Sequence, residues 1–153
     1  MSKLSEQLKR HEGFRQHVYK DTVGLDTIGY GYCLSQNPLN LTSNEIGIYR
    51  REGIKEMVAD YILNRCIDEF RKTLLVKVEG FNDLDAVRQD CLINMAFNIG
   101  VGGVLKFKNT LAHIRAGQYE LAACEMLESN WAKQVHNRAN ELALQMKSGT
   151  YAN

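Results

Sequence analysis

The sequence predicts an α+β fold, mostly helical, with a small antiparallel sheet near the N-terminus. Three observations lead there. Residues 14–34 lose helical periodicity and carry the β-rich segments HVYK, LDTIGY and YCL, separated by glycine-bearing turns. Residues 54–75 contain neither Gly nor Pro and set Val58, Ile62, Cys66, Phe70 and Leu74 four apart in one row. Between Cys91 and Ile99 the polar residues are Asn94 and Asn98, the composition of a helix buried on nearly all sides.

The totals set the bounds. A chain of 153 residues suits one compact domain, or two lobes sharing a helix. Hydrophobic content of 44% and charged content of 24% are those of an ordinary globular protein. No apolar run approaches the roughly 20 residues of a membrane span. The N-terminus, MSKLSEQLKRHEGF, lacks the apolar region of a signal peptide, so the expectation is synthesis in the cytoplasm without an export signal. A net charge of +1 and the lack of a basic stripe argue against a nucleic-acid partner. Cys33, Cys66, Cys91 and Cys124 are widely spaced and form no C-x-x-C, which argues against a metal site and against disulfides in a reducing compartment. Three of them fall on apolar helix faces and are expected to be small buried hydrophobes. His11, His17, His113 and His136 lack metal-type spacing and are expected at the surface.

Taken in order, Leu4, Leu8 and Glu12 share one face of a short first helix, with Ser2 as N-cap and Gly13 as the stop. Glu12 therefore faces inward in the last turn. Standing alone, such a glutamate would most often be structural, paired with a basic group. A three-stranded antiparallel sheet follows, too small to be stable by itself. Gly29 and Gly31 within it imply close approach of a neighbouring element or of a ligand. Residues 35–53 are polar and irregular and hold the lone proline, Pro38. Thr42 or Ser43 can cap a short helix through Tyr49, with Glu45 in its first turn.

The row from Val58 to Leu74, flanked by Met57, Tyr61 and Ile67, forms a helix about 30 Å long, enough to bridge two lobes. It lacks the a/d alternation of a coiled coil. The next helix is expected to start at Asp83 and stop at Gly100, with GVGG (100–103) as a break. If buried, Asn94 and Asn98 need partners, so they tie helices together or face a cleft, with tying favoured. Short helices are expected over 109–116 and 118–128, then a turn at Ser129-Asn130, then a final helix over 137–147 stopped by Gly149. Residues 83–149 thus read as a helical lobe.

The chemistry concentrates between Leu8 and Leu34. Glu12 is followed nine positions on by Asp21 and six further by Thr27. Hydrolysis of a glycosidic bond needs a carboxylic acid to protonate the departing oxygen, and a second carboxylate to guide a water or stabilise the sugar cation. Burial and the negative end of a helix dipole favour the protonated form of Glu12, which suits the acid. Asp21 lies in a turn, where water and backbone N–H groups solvate a carboxylate. Thr27 offers a hydroxyl able to hold a water.

The spacing Glu12–Asp21–Thr27 followed by IGYG, with YKDT (19–22), TIGYG (27–31), LDAVRQDCLINMAFNIG (84–100) and NRA (137–139) in that order, resembles the phage-type, T4-lysozyme-like endolysins of glycoside hydrolase family 24. The likeness spans nearly the whole chain. It implies a single lysozyme-like catalytic domain over 1–153 in two lobes. The N-terminal lobe would cover about 13–53, the connecting helix about 54–75, and the helical lobe about 76–153 together with helix 2–12, with a cleft between the lobes. It implies a muramidase that cuts the β-1,4 bond between N-acetylmuramic acid and N-acetylglucosamine, a bacteriolytic endolysin causing host-cell lysis.

By the same resemblance Glu12 is the general acid, and Asp21 and Thr27 hold the attacking water, with inversion the expected outcome. Arg138 is the arginine set against the acid, which would lower the pKa of Glu12 and leave its net shift open. Phe97 and Thr110 match sugar-contacting positions, Thr110 in place of a serine. Cys33 and Glu125 match two more with changed side chains. Tyr32 replaces a histidine common in the family, and Cys66 stands where an acidic partner for it would sit. A change in stability and pH response is expected there, without loss of activity.

The implied partner is peptidoglycan, with no cofactor, no metal, no nucleic acid and no membrane insertion. The chain would be a monomer that depends on a holin to reach the periplasm. A catalytically inactive peptidoglycan-binding homologue is the alternative, and the intact Glu12, Asp21 and Thr27 count against it. A zinc amidase or a Cys/His peptidase lacks its residues.

Overall fold

The computed structural model describes residues 2–151. Among them lie eight α-helices, one 3-10 turn and one three-stranded antiparallel sheet, in the order α1 (Lys3–Glu12), β1 (Arg15–Lys20), β2 (Asp26–Gly29), β3 (Tyr32–Cys33), α2 (Ser43–Glu52), α3 (Glu56–Lys77), the 3-10 turn (Phe81–Asp83), α4 (Ala86–Leu105), α5 (Lys108–Arg115), α6 (Tyr119–Glu128), α7 (Asn130–Val135) and α8 (Asn137–Ser148). The α+β class, mostly helical with a small N-terminal sheet, is as expected. No described helix is long and apolar enough to cross a membrane. The chain forms two compact units, Met1–Glu69 and Phe70–Asn153.

In the first unit, α1 starts where Ser2 accepts from the Ser5 N–H and stops at Gly13, whose φ of 69° suits glycine. Leu4 and Leu8 are fully buried and Glu12 is half-buried. The strands pair in the order β1-β2-β3. Tyr19 is opposite Thr27 and Thr27 opposite Cys33, so these three share one face of the sheet. Tyr32, paired with Ile28, is on the other face, and both are buried. A capping box between Thr42 and Glu45 opens α2. Lys9 reaches Asp60 on α3 at 2.5 Å, and the Tyr30 hydroxyl donates to Glu56 at 2.7 Å. These contacts fasten α1 and the sheet to the start of α3.

The α3 row is buried at Ile62, Cys66 and Leu74, as its periodicity predicts. Of the flank, Ile67 is buried as expected, but Met57 and Tyr61 are exposed, and Ala59 and Leu63 take the inner positions. The stripe is thus centred one residue further round the helix. The exposed Tyr61 ring instead carries the Arg65 guanidinium at 5.7 Å.

In the second unit α4 begins at Asp85, not Asp83. Asp83 is taken up in the 3-10 turn, while Asp85 has an extended backbone and accepts from the Arg88 N–H. The expected break at 100–103 shrinks to one residue. Gly100 has φ 77° and kinks the chain, and helical geometry resumes through Leu105. Gly103 is helical, and a Cβ there would lie 3.0 Å from the Ile99 side chain. Cys91 to Ala96 are fully buried. The two asparagines tie helices, as favoured. Asn94 accepts from the Arg138 guanidinium of α8 at 2.9–3.0 Å, and Asn98 accepts from the Trp131 indole of α7 at 2.7 Å. Ser129 is the N-cap of α7 and accepts from the Ala132 N–H, so the expected turn is a helix start. Gly149 ends α8 in the left-handed region.

Arg88 joins α4 to the end of α8. It donates to the carbonyls of Met146 and Lys147 at 2.6 and 3.0 Å and covers the Tyr119 ring at 3.6 Å. All four cysteines are free. Cys66 and Cys91 are buried as expected, but Cys124 is exposed, because α6 turns Ala122, Ala123 and Met126 inward instead.

Candidate active site

The β1–β2 turn is built around a carboxylate. One oxygen of Asp21, Oδ1, accepts from the N–H of Val23 at 2.9 Å and of Leu25 at 2.8 Å. The Asp21 N–H donates to the Leu25 carbonyl at 3.0 Å. The Thr27 hydroxyl donates to that same carbonyl at 2.9 Å. Leu25 therefore holds both side chains, one through its N–H and one through its C=O. Two consequences follow for the chemistry. Asp21 keeps Oδ2 as an acceptor, and Thr27, with its proton committed, offers a lone pair. A water between them would donate both of its protons and keep its own lone pairs for attack.

Glu12 comes from the last turn of α1. A Cβ built on Gly31 would lie 2.7 Å from Glu12 Oε2, 2.8 Å from Cδ and 3.0 Å from Cγ. The carboxylate is thus seated against the bare Cα of Gly31, at φ 70° in the β2–β3 turn. That answers the question the sequence posed for this glycine. The neighbour is Glu12. For Gly29 it is Ala59 of α3, whose Cβ would lie 3.1 Å away.

Tyr19 stands across from Thr27, half-buried, with the Arg15 guanidinium 4.6 Å from its ring centre. Burial raises its pKa first, the Glu12 carboxylate adds to the rise, Arg15 offsets part of it, and Asp21 adds again. Both carboxylates thus disfavour the ionised phenol. Within the first unit Tyr19 and Thr27 share one sheet face, Asp21 follows β1 in the turn, and Glu12 is seated against Gly31. Tyr19 was missed because its signal is register, which the residue spacing alone does not give.

The other predicted residues are placed as follows. Cys33 is half-buried beside Thr27 in the sheet, and its sulfur accepts from the Gln36 N–H at 3.4 Å. Tyr32 is buried. It donates to Asn37 at 2.7 Å and accepts from the Leu39 N–H at 3.1 Å, which pins the loop after the sheet. Burial pushes its phenol and the Cys66 thiol each up to about 12. In the second unit, Phe97 is half-buried and meets Phe70 edge-on at 5.7 Å. Thr110 and Glu125 both line a pocket of about 570 Å³ between the start of α5 and the end of α6, together with Lys106, Lys108 and Glu128. Arg138 is held by Asn94.

Comparison with known proteins agrees with this architecture. The chain is 30% identical over 164 residues to "Probable T4-type lysozyme 2" of Dictyostelium discoideum, covering 98% of this chain and 96% of that protein. It is 31% identical over 159 residues to "Pre-baseplate central spike protein Gp5" of Enterobacteria phage T4, covering 95% of this chain and 28% of that longer protein. It is also 31% identical over 127 residues to "Endolysin" of Bacillus phage B103, covering 80% and 42%. Residues 9–146 match the phage lysozyme family, and that span takes in the carboxylates, the sheet and all of the described helices except the first part of α1 and the last two residues of α8. The chain belongs to the phage lysozyme family: it is a T4-lysozyme-like glycoside hydrolase whose substrate is peptidoglycan.

Proposed function

We propose that this protein is an endolysin, a muramidase that cuts the β-1,4 bond between N-acetylmuramic acid and N-acetylglucosamine and so lyses a host cell. Glu12 is the general acid that protonates the departing oxygen. Asp21 and Thr27 hold the water that attacks from the opposite face of the sugar, and the product anomer is inverted. The observation that carries this is the shared Leu25 peptide. It commits Asp21 Oδ1 and the Thr27 proton, and leaves two acceptors on one hairpin for a single water. Cys33 in the first unit and Phe97 and Thr110 in the second are proposed as glycan contacts, with Arg138 as a supporting cation. The protein acts as a monomer and reaches the wall from the cytoplasm through a holin.

The test is digestion of purified peptidoglycan with an assay for new reducing ends. The wild type releases them, and Glu12→Gln releases none while unfolding at an unchanged temperature, because an amide cannot protonate the leaving oxygen. Release of free amines without reducing ends would overturn the muramidase assignment. Binding without any product would identify an inactive homologue. NMR of the first-formed anomer decides the stereochemistry.

A further inference from the structure

We infer that Tyr19 is a substrate-contacting residue of this active site, the neutral hydrogen-bond donor for sugar oxygens that lie beside Glu12 and Asp21. The assignment rests on the muramidase activity proposed above. Three observations place it. Tyr19 and Thr27 are directly opposed across β1 and β2, so the ring is on the face that carries the threonine. The Glu12 and Asp21 carboxylates both disfavour its ionised form. The Arg15 guanidinium, 4.6 Å from the ring centre, steadies the ring from its face without using the hydroxyl.

A count of protons gives the role. The Thr27 proton is committed to the Leu25 carbonyl. An ionised Asp21 has no proton, and that of Glu12 goes to the leaving oxygen. A saccharide presents ring, glycosidic and acetamido oxygens that accept hydrogen bonds, so a site of these three groups has no donor to spare. Among the described residues the Tyr19 hydroxyl forms no hydrogen bond within the protein, and its proton is available. Burial and the two carboxylates keep the phenol un-ionised, so it remains a donor throughout the range in which a lysozyme works. A lysine in its place would pair with the carboxylates and hold both ionised, against the need for a protonated Glu12. A phenol donates without doing so.

Tyr19→Phe removes one oxygen and keeps the ring and the Arg15 contact. We expect kcat/KM on soluble peptidoglycan glycan to fall by about three- to tenfold, the worth of one neutral hydrogen bond, with the loss mainly in KM. In the Glu12→Gln background, which binds without turnover, adding Tyr19→Phe should raise the Kd for a soluble glycan fragment by a similar factor. The melting temperature should stay the same. Unchanged kcat/KM and Kd would overturn the assignment, and so would a loss of activity that follows a fall in melting temperature. A wild type that makes no reducing ends refutes the muramidase activity itself. A wild type that makes them beside an unaffected Tyr19→Phe variant refutes only the role of Tyr19.

Discussion

At the residue scale the site depends on what is absent from Gly31 as much as on what Glu12 carries. Any L side chain there would have to displace the Glu12 carboxyl, since its first carbon would lie 2.7 Å from Oε2. It would also meet the strain of a positive φ, about 1–2 kcal/mol. The two effects separate by comparison with Gly117, which has φ 75° and open space around it. Both Gly31→Ala and Gly117→Ala should lower stability by about that amount. With Glu12 as the proposed acid, Gly31→Ala alone should lower kcat, by about tenfold to a hundredfold, because a displaced carboxyl protonates poorly. Equal kcat in the two variants would show that the seat does not set the position of Glu12. The sequence offered Glu12, Asp21 and Thr27 as candidates by spacing and predicted that Gly31 is approached closely. It did not name the approaching group, because that contact joins a helix end to a turn 19 residues away.

At the element scale, helix ends decide much of the second unit. The last carbonyls of a helix have no partner within it. Arg88 supplies donors to two of them at the end of α8 while its plane covers Tyr119. Arg88→Ala should therefore destabilise the protein by about 2–3 kcal/mol in urea unfolding, and Arg88→Lys should recover little, since a point ammonium cannot serve both carbonyls and the ring. Recovery by lysine of most of the loss would mean that charge alone matters. Helix positions were legible in the sequence because apolar spacing fixes them. The ends were less so. Asp83 and Asp85 are both good caps by type, and the 3-10 turn that uses up Asp83 is set by packing of the buried Phe81. Similarly, three glycines within 100–103 suggested a longer break than the single positive φ at Gly100 creates.

At the scale of the whole molecule, the four thiols report on global unfolding. Cys66 and Cys91 are buried, and burial pushes both thiols up, so the thiolate that reacts is scarce and shielded. Cys124 is exposed and Cys33 partly so. A thiol-specific reagent added to native protein should label Cys124 at once and Cys33 more slowly. Cys66 and Cys91 should react at the rate of unfolding, measured independently by fluorescence. Prompt labelling of all four would show that the buried pair is reached by local opening. The sequence placed all three helical cysteines on apolar faces. Cys124 departs because α6 is rich enough in Ala and Met to fill its inner stripe without it.

The Tyr32 and Cys66 neighbourhood has a consequence for how the enzyme meets changing surroundings. A phenol and a thiol that titrate near pH 12 are both neutral from acid to mildly alkaline solution. An imidazole and a carboxylate in those places would gain and lose charge within that span, and the fold would strengthen and weaken with them. Here the sheet is anchored by the hydrogen bond that Tyr32 donates to Asn37 and the one it accepts from the Leu39 N–H, which acidity does not alter in this range. This corner of the protein therefore keeps its hydrogen bonds across that span.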